Sequence, residues 1–316
     1  MKEIGGYIEL DKYCLPMLHK GAVALNCGRN ALAYLIRAKS IKKILLPKFL
    51  CSSVKAVCEK EDVKVRYYSI TADFIPKDIT LGKDEWLYLV NYYGQLDNEK
   101  IQLLSEQYNR IIVDNAQAYF QMPINGIDTL YTCRKFLGVV DGAFLYTDTK
   151  ISEALPIDES FERMRFLLGR FERSASEFYG EYVANNHLFV DEPIKRMSKL
   201  THNLLHAIDY EAVKEKRTSN FTVLHEAFEK SNKLKVSVPE GAFMYPLYLK
   251  NGVEIRKKLQ AKKIFVPMLW PDVFECCGEA ELEYDMAKNI LPLPIDQRYD
   301  KNDMKYIIEQ IRSIGW

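Results

Sequence analysis

An α/β fold with a mostly parallel central sheet, covered by helices on both faces, is predicted by three features of the chain. Short apolar runs end at turn residues. Segments with helical spacing lie between those runs, and the links joining them are short. Strand, helix, strand, helix in that rhythm implies parallel pairing with crossover helices. With 316 residues, the chain exceeds what one small core needs, so a large unit and a smaller one are expected.

The elements follow in order. Val23 to Asn26 reads as a short strand. Asn26 to Ser40 reads as a helix, with Ala31, Leu32, Leu35 and Ile36 on one face. Ile44 to Leu46 is a buried strand stopped by Pro47. A helix follows from Ser52 to Glu61, and VKVRYYSI is the next strand. Trp86 to Gln95 reads as a strand ending in a Gly turn, and Asn98 to Gln107 as a helix. NRIIVDNAQ is a strand with Asp114 at its C-terminal end. DTLYTC and GAFLYTD are strands flanking the segment RKFLGVV. Residues 157–235 read as long charged helices without a clear strand. Beyond them KLKVSVP, FMYPLYL and KIFVPMLW read as strands, with a helix from Val253 to Ala261 and a closing helix from Asp300 to Ile314. The domains expected are 1–225 and 226–316.

Composition narrows the function classes. Forty-four basic residues nearly cancel forty-three acidic ones, for a net charge of +1. That gives no electrostatic case for nucleic acid or an anionic membrane. The seven cysteines are scattered and odd in number, without CxxC pairs, which argues against a disulfide framework and a zinc site. No secretory h-region and no long apolar run is present, so a cytoplasmic protein is expected. The first strand is not followed by GxGxxG, which speaks against a dinucleotide fold.

Three places carry chemistry. Gly28 opens a strand-turn-helix whose helix N-terminus offers free N–H groups to a phosphate; it is equally compatible with a plain turn. Asp114 ends a buried strand, where its carboxylate can face a crevice and accept a hydrogen bond from a protonated ring nitrogen, or serve as a cap or ion-pair partner. Lys135 lies in a tight segment between two apolar strands, where its amine can attack an aldehyde or rest at the surface.

Taken together, the motifs resemble the DegT/DnrJ/EryC1/StrS group of fold-type-I pyridoxal 5'-phosphate (PLP) enzymes, the sugar aminotransferases. Cys27-Gly28-Arg29-Asn30-Ala31-Leu32 is similar to SGTxAL, Leu46-Pro47-Lys48-Phe49 to VPSFTF, and Tyr93-Gly94-Gln95 to LYGQ. Val113 to Ala118 is similar to EDAAQA. Lys135 followed by Asp141-Gly142 resembles the lysine followed by GEGG, and Leu291-Pro292-Leu293-Pro294 resembles LSLP.

The resemblance implies a fold-type-I PLP-dependent transferase fold with a smaller C-terminal α/β domain. It implies a transfer of an amino group from a glutamate-like amino acid donor to a keto acceptor, a nucleotide-linked sugar in polysaccharide biosynthesis. Lys135 then corresponds to the lysine that bonds to PLP and Asp114 to the acid that pairs with its ring nitrogen. Gln117 lies beside the ring, and Gly28, Arg29 and Asn30 form the phosphate turn. Phe49, or Cys51 in its place, stacks on the ring. No metal is implied, and a homodimer with shared sites is. The chain departs from the pattern in lacking SFHxxK. Thr132, three residues before Lys135, offers a hydroxyl to the phosphate instead, with Arg134 as a second contact. Arg29 replaces the small threonine of the turn. A PLP-dependent dehydratase or lyase, and a non-catalytic PLP-fold binding protein, stand as alternative readings.

Overall fold

Strands whose residues are apolar on both faces need cover on both faces, and that requirement organises this chain. The computed structural model describes residues 4–315. β2 (Lys43–Pro47), β4 (Trp86–Val90) and β5 (Ile111–Asp114) bury nearly every residue. They join β1 (Val23–Leu25), β3 (Lys64–Tyr68), β6 (Asp128–Thr132) and β7 (Ala143–Tyr146) in a seven-stranded sheet ordered β1-β7-β6-β5-β4-β2-β3. β7 runs antiparallel to both neighbours, and the other pairings are parallel. Helices α1 (Gly28–Ala38), α2 (Ser52–Lys60) and α3 (Asn98–Tyr108) make the crossovers. The C-terminal ends of β1, β4, β5 and β6 therefore open on one edge, where crevices form outside α/β sheets.

The strand expected from Trp86 to Gln95 stops at Val90, because Tyr93 turns the backbone to φ +54° within a short 3-10 turn at Tyr92–Gly94. The charged stretch after β7 holds α4 (Arg165–Glu172), α5 (Tyr179–Leu188), α6 (Lys199–Leu205) and α7 (Tyr210–Phe228). Only α7 is long. Before α6 the chain returns to the sheet, with Arg196 bridging Leu25 and Ile157.

Beyond α7 the pattern reading needs correction. FMYPLYL contains β8 (Tyr245–Tyr248), but KLKVSVP and KIFVPMLW form no strand. The backbone N–H of Ser237 donates to Gln95 Oε1 at 2.7 Å rather than to a strand, and Pro267 removes a donor from the second segment. The partner of β8 is instead β9 (Ile290–Leu293), antiparallel, with Pro246 opposite Pro292. Two prolines can face each other only at a pair that exchanges no N–H bonds. Helices α8 (Gly252–Ala261), α9 (Val273–Cys276), α10 (Leu282–Asn289) and α11 (Lys301–Ser313) complete the chain. A second apolar core gathers Phe221, Leu224 and Phe228 of α7 with Leu247, Leu259, Leu291 and Ile311. Among the described residues no helix is long and apolar enough to cross a membrane.

Behind β6, His19 is 1% exposed and packs 4.1 Å from the Tyr131 ring. Its Nε2 meets the Tyr119 carbonyl at 2.9 Å. A carbonyl only accepts, so Nε2 carries the proton and Nδ1 is left to accept from the Tyr146 hydroxyl at 3.3 Å. Burial lowers the imidazole from its ordinary 6.5 to about 4, against the pull of the Tyr119 carbonyl. Between these two pH values the unfolded chain takes up a proton that the native state refuses, so stability falls as pH falls. The loss is about 3 kcal/mol over that window. In His19→Gln, urea unfolding at about pH 7 and about pH 4.5 is expected to show that much less acid sensitivity. An unchanged difference between the two pH values would remove His19 as its source.

Candidate active site

Lys135 is presented by a turn that its buried neighbours anchor. Cys133, Phe136 and Leu137 point into the core, and the N–H groups of Phe136 and Leu137 both donate to the Cys133 carbonyl, at 3.0 and 2.9 Å. Asp141 closes the far end of the segment: its carboxylate accepts from the Ser198 N–H and hydroxyl, each at 2.8 Å, and from the Thr201 hydroxyl at the start of α6. Lys135 itself opens to solvent in the crevice. Its Nζ makes no hydrogen bond or ion pair among the described residues and stands 5.5 Å from the centre of the Phe243 ring. Protein surrounds the amine on its other sides. The resulting desolvation lowers its pKa, while Asp114 and Cys51 pull the other way and Arg134 adds to the lowering.

Asp114 is held as an oriented acceptor at the end of β5, 8% exposed. Oδ1 accepts from the Ala116 N–H at 2.8 Å, an Asx-type turn, and Oδ2 accepts from the Tyr88 hydroxyl at 2.8 Å. Burial, then the Asp114 charge, pushes the Tyr88 phenol far up, so it remains a donor. Gln117 gives its Oε1 to the Tyr93 N–H at 2.8 Å, and its amide N–H groups are left without a protein acceptor.

The phosphate-turn candidates meet Thr132 directly. A Cβ on Gly28 would lie 2.6 Å from Thr132 Cγ2, so glycine is what lets the N-terminus of α1 sit against β6. Cys27, the N-cap, makes no side-chain capping bond, and the first turn has no acidic residue. Thr132 Oγ1 is buried without a partner, as is Asn26 Nδ2 one residue before the cap. Arg29 Nη1 donates to the Asn186 carbonyl at 3.2 Å, and Arg134 Nη1 donates to the Asn186 side-chain oxygen. Neither guanidinium has an ion-pair partner among the described residues. Free helix N–H groups, two buried polar atoms without partners and two unpaired arginines fit an anionic ester.

Asn30 is a scaffold residue here. Its Nδ2 donates to Asn26 Oδ1 at 2.9 Å and to the Pro193 carbonyl at 2.7 Å. Phe49 is 0% exposed, packed 4.4 Å from Trp270 and 5.4 Å from Tyr92, whereas Cys51 is exposed and acts on Lys135. Of the two, Cys51 has the open position. Tyr92, Tyr93 and Tyr245 are buried packing residues. Tyr88, Asn186 and Phe243 escaped the sequence reading: each lies in a segment whose pattern says only core strand or helix.

Replacing Gly28 with alanine tests this junction. Removing backbone freedom at a compatible helix position ordinarily stabilises a little, but the clash with Thr132 reverses the sign. A loss of about 1–3 kcal/mol is expected, largely recovered in Gly28→Ala/Thr132→Ser, which deletes the offending methyl. Equal thermal unfolding of Gly28→Ala and the parent chain would refute the close fit.

No family model matches the chain, and no curated protein matches it. Solved structures do. DesV from S. venezuelae, crystallised in complex with a ketimine intermediate, superposes with a TM-score of 0.68 at 14% identity over 96% of this chain and 90% of its own. The PLP form of a sugar aminotransferase from Streptococcus pneumoniae, Spr1654, gives 0.64 at 14% identity over 94% and 88%. A DegT DnrJ EryC1 StrS aminotransferase from Brucella abortus gives 0.63 at 14% identity over 93% and 86%. The chain thus shares the fold of these solved aminotransferases, and the likeness runs through nearly the whole chain.

Proposed function

We propose that this protein is a PLP-dependent aminotransferase that takes an amino group from a glutamate-like amino acid and delivers it to a carbonyl acceptor, a nucleotide-linked keto sugar. The observation that carries the proposal is one juxtaposition: an unpaired, desolvated Lys135 amine within the field of an Asp114 carboxylate held by Tyr88, on the sheet edge where α1 and Thr132 offer an anion site. Bound PLP supplies electron withdrawal from the carbon that loses its proton.

The chain's own groups do the rest. The α1 N–H groups, Thr132, Arg29 and Arg134 would bind and orient the phosphate. Asp114, its two oxygens oriented by the Tyr88 hydroxyl and the Ala116 N–H, would hold a proton at the ring nitrogen. The lowered pKa of Lys135 keeps a larger share of the amine neutral near physiological pH, as a group that first bonds to the cofactor and then carries a proton to and from the donor α-carbon must be. The Gln117 amide, whose Oε1 accepts from the Tyr93 N–H, would donate beside the ring.

A homodimer and a cytoplasmic setting belong to this proposal. Phe171, Leu168 and Tyr179 on α4 and α5 expose apolar surface suited to a second copy, and the seven cysteines are free thiols. The test is product analysis with the PLP-loaded protein. Glutamate is expected to leave pyridoxamine phosphate and a keto acid, and a keto-sugar nucleotide is expected to be aminated in return. Elimination products instead would favour a dehydratase, and failure to take up PLP would sink the proposal.

A further inference from the structure

A buried cation on α7 grips the catalytic turn without touching the site. Arg217 is 2% exposed, and no ion pair to it occurs among the described residues. Asp296 acts on it from longer range but is paired with Arg298, Nε to Oδ1 at 2.6 Å. Burial pulls the guanidinium down to about 10, and a charge held at that cost needs compensating bonds. They come from three separate segments. Nη2 donates to the Phe136 carbonyl at 3.1 Å, the residue after Lys135. Nη1 donates to the Ala242 carbonyl at 3.0 Å and the Phe243 carbonyl at 3.4 Å, just before β8. Nε donates to Gln297 Oε1 at 2.8 Å, beyond β9, and Gln297 Nε2 returns to the Phe136 carbonyl at 2.8 Å. The guanidinium also lies 4.7 Å from the Phe136 ring centre.

We propose that Arg217, with Gln297, is a positioning residue for Lys135. It fixes the backbone on the C-terminal side of the lysine and, through the same guanidinium, the backbone of Phe243, whose ring faces Nζ. The crevice wall over the amine is thereby built from two parts of the chain locked to a common point. A planar fork carries donors on three separate nitrogens and can reach carbonyls several ångströms apart, whereas a lysine ammonium offers its three donors from one nitrogen on a flexible stem. Arg217 therefore sets how far the amine is kept from water. The titratable groups acting on that amine are Asp114, Cys51 and Arg134, and Arg217 works through the wall rather than as one of them.

This inference rests on reading Lys135 as the reacting amine, and its test needs no PLP. The cofactor-free protein is reductively methylated with a carbon-13 label, the Lys135 signal is assigned by its absence in Lys135→Ala, and its titration is followed by NMR. In Arg217→Lys the wall loosens, water reaches the amine, and the titration is expected to move upward toward an ordinary lysine by about half a pH unit or more. A purely structural arginine would lower thermal stability and leave the native-state titration where it was, and that result overturns the proposal. Should Arg217→Lys not fold, Gln297→Ala removes two of the tethers and carries the same expectation and the same refutation. An upward shift in a protein that never binds PLP would uphold the positioning role while removing the aminotransferase reading.

Discussion

Lys135→Ala is expected to abolish covalent retention of PLP and to lower amino transfer by about 10²–10⁴-fold, the range for losing a positioned proton carrier, with the loss of covalent attachment adding to it. The reason is geometric. Nζ makes no hydrogen bond or ion pair among the described residues and faces the Phe243 ring, so the amine is not tied up in a structural contact. Reduction with borohydride followed by peptide mass analysis should find the pyridoxyl mass on the peptide containing Lys135 in the parent chain and nowhere in the variant. The fold itself should not suffer. The folded-state pKa of Lys135 is lowered, so its charged form is less favourable in the native state than in the unfolded one. That penalty is present below the folded pKa and disappears as pH rises above the unfolded one. At neutral pH Lys135→Met should therefore unfold at or above the parent temperature. An inactive variant that is also much less stable would mean the lysine is structural. A pyridoxyl label found on another lysine would move the site.

Asp114→Asn is the second large effect. Covalent attachment to Lys135 should persist, because the lysine is untouched, but amino transfer should fall by about 10²-fold or more, the scale for removing one preorganised charge from a desolvated site. The amide can still accept the Ala116 N–H bond that Asp114 Oδ1 now receives, so the turn should survive. The Tyr88 hydroxyl can rotate to accept from the new amide. A second consequence distinguishes electrostatics from packing. Asp114 raises the Lys135 pKa, so its neutralisation should move the amine's titration further down, the opposite direction to Arg217→Lys. Full activity in Asp114→Asn, or a titration that does not fall, would detach Asp114 from the role assigned to it.

Much of the fold was legible because its signals are local. Ile44 to Leu46, Leu87 to Val90 and Ile111 to Val113 are apolar on both faces, which already demands a covered parallel sheet. Ala31, Leu32, Leu35 and Ile36 repeat at helical spacing and pack as that spacing requires. The C-terminal stretch was less legible. An alternating segment such as KLKVSVP looks the same whether a strand lies beside it or the side chain of Gln95 takes up its backbone. ILPL forms a strand despite its proline because it pairs where that proline need not donate.

At the candidate site the division is sharper. The order and spacing of Gly28, Asp114, Thr132 and Lys135 are properties of the chain, and they single out those residues as candidates. What the sequence by itself determined is therefore which side chains have the right chemistry and which strand end each occupies. Only the tertiary structure decided what those side chains feel: the bond from Tyr88 that orients Asp114, the Phe243 ring beside Nζ, the unpartnered Thr132 hydroxyl against Gly28, and the Arg217 fork that joins Phe136 to Phe243. These are contacts between residues from 26 to 108 positions apart. Desolvation and hydrogen-bond geometry depend on how such distant segments pack, and periodicity along the chain carries no record of that.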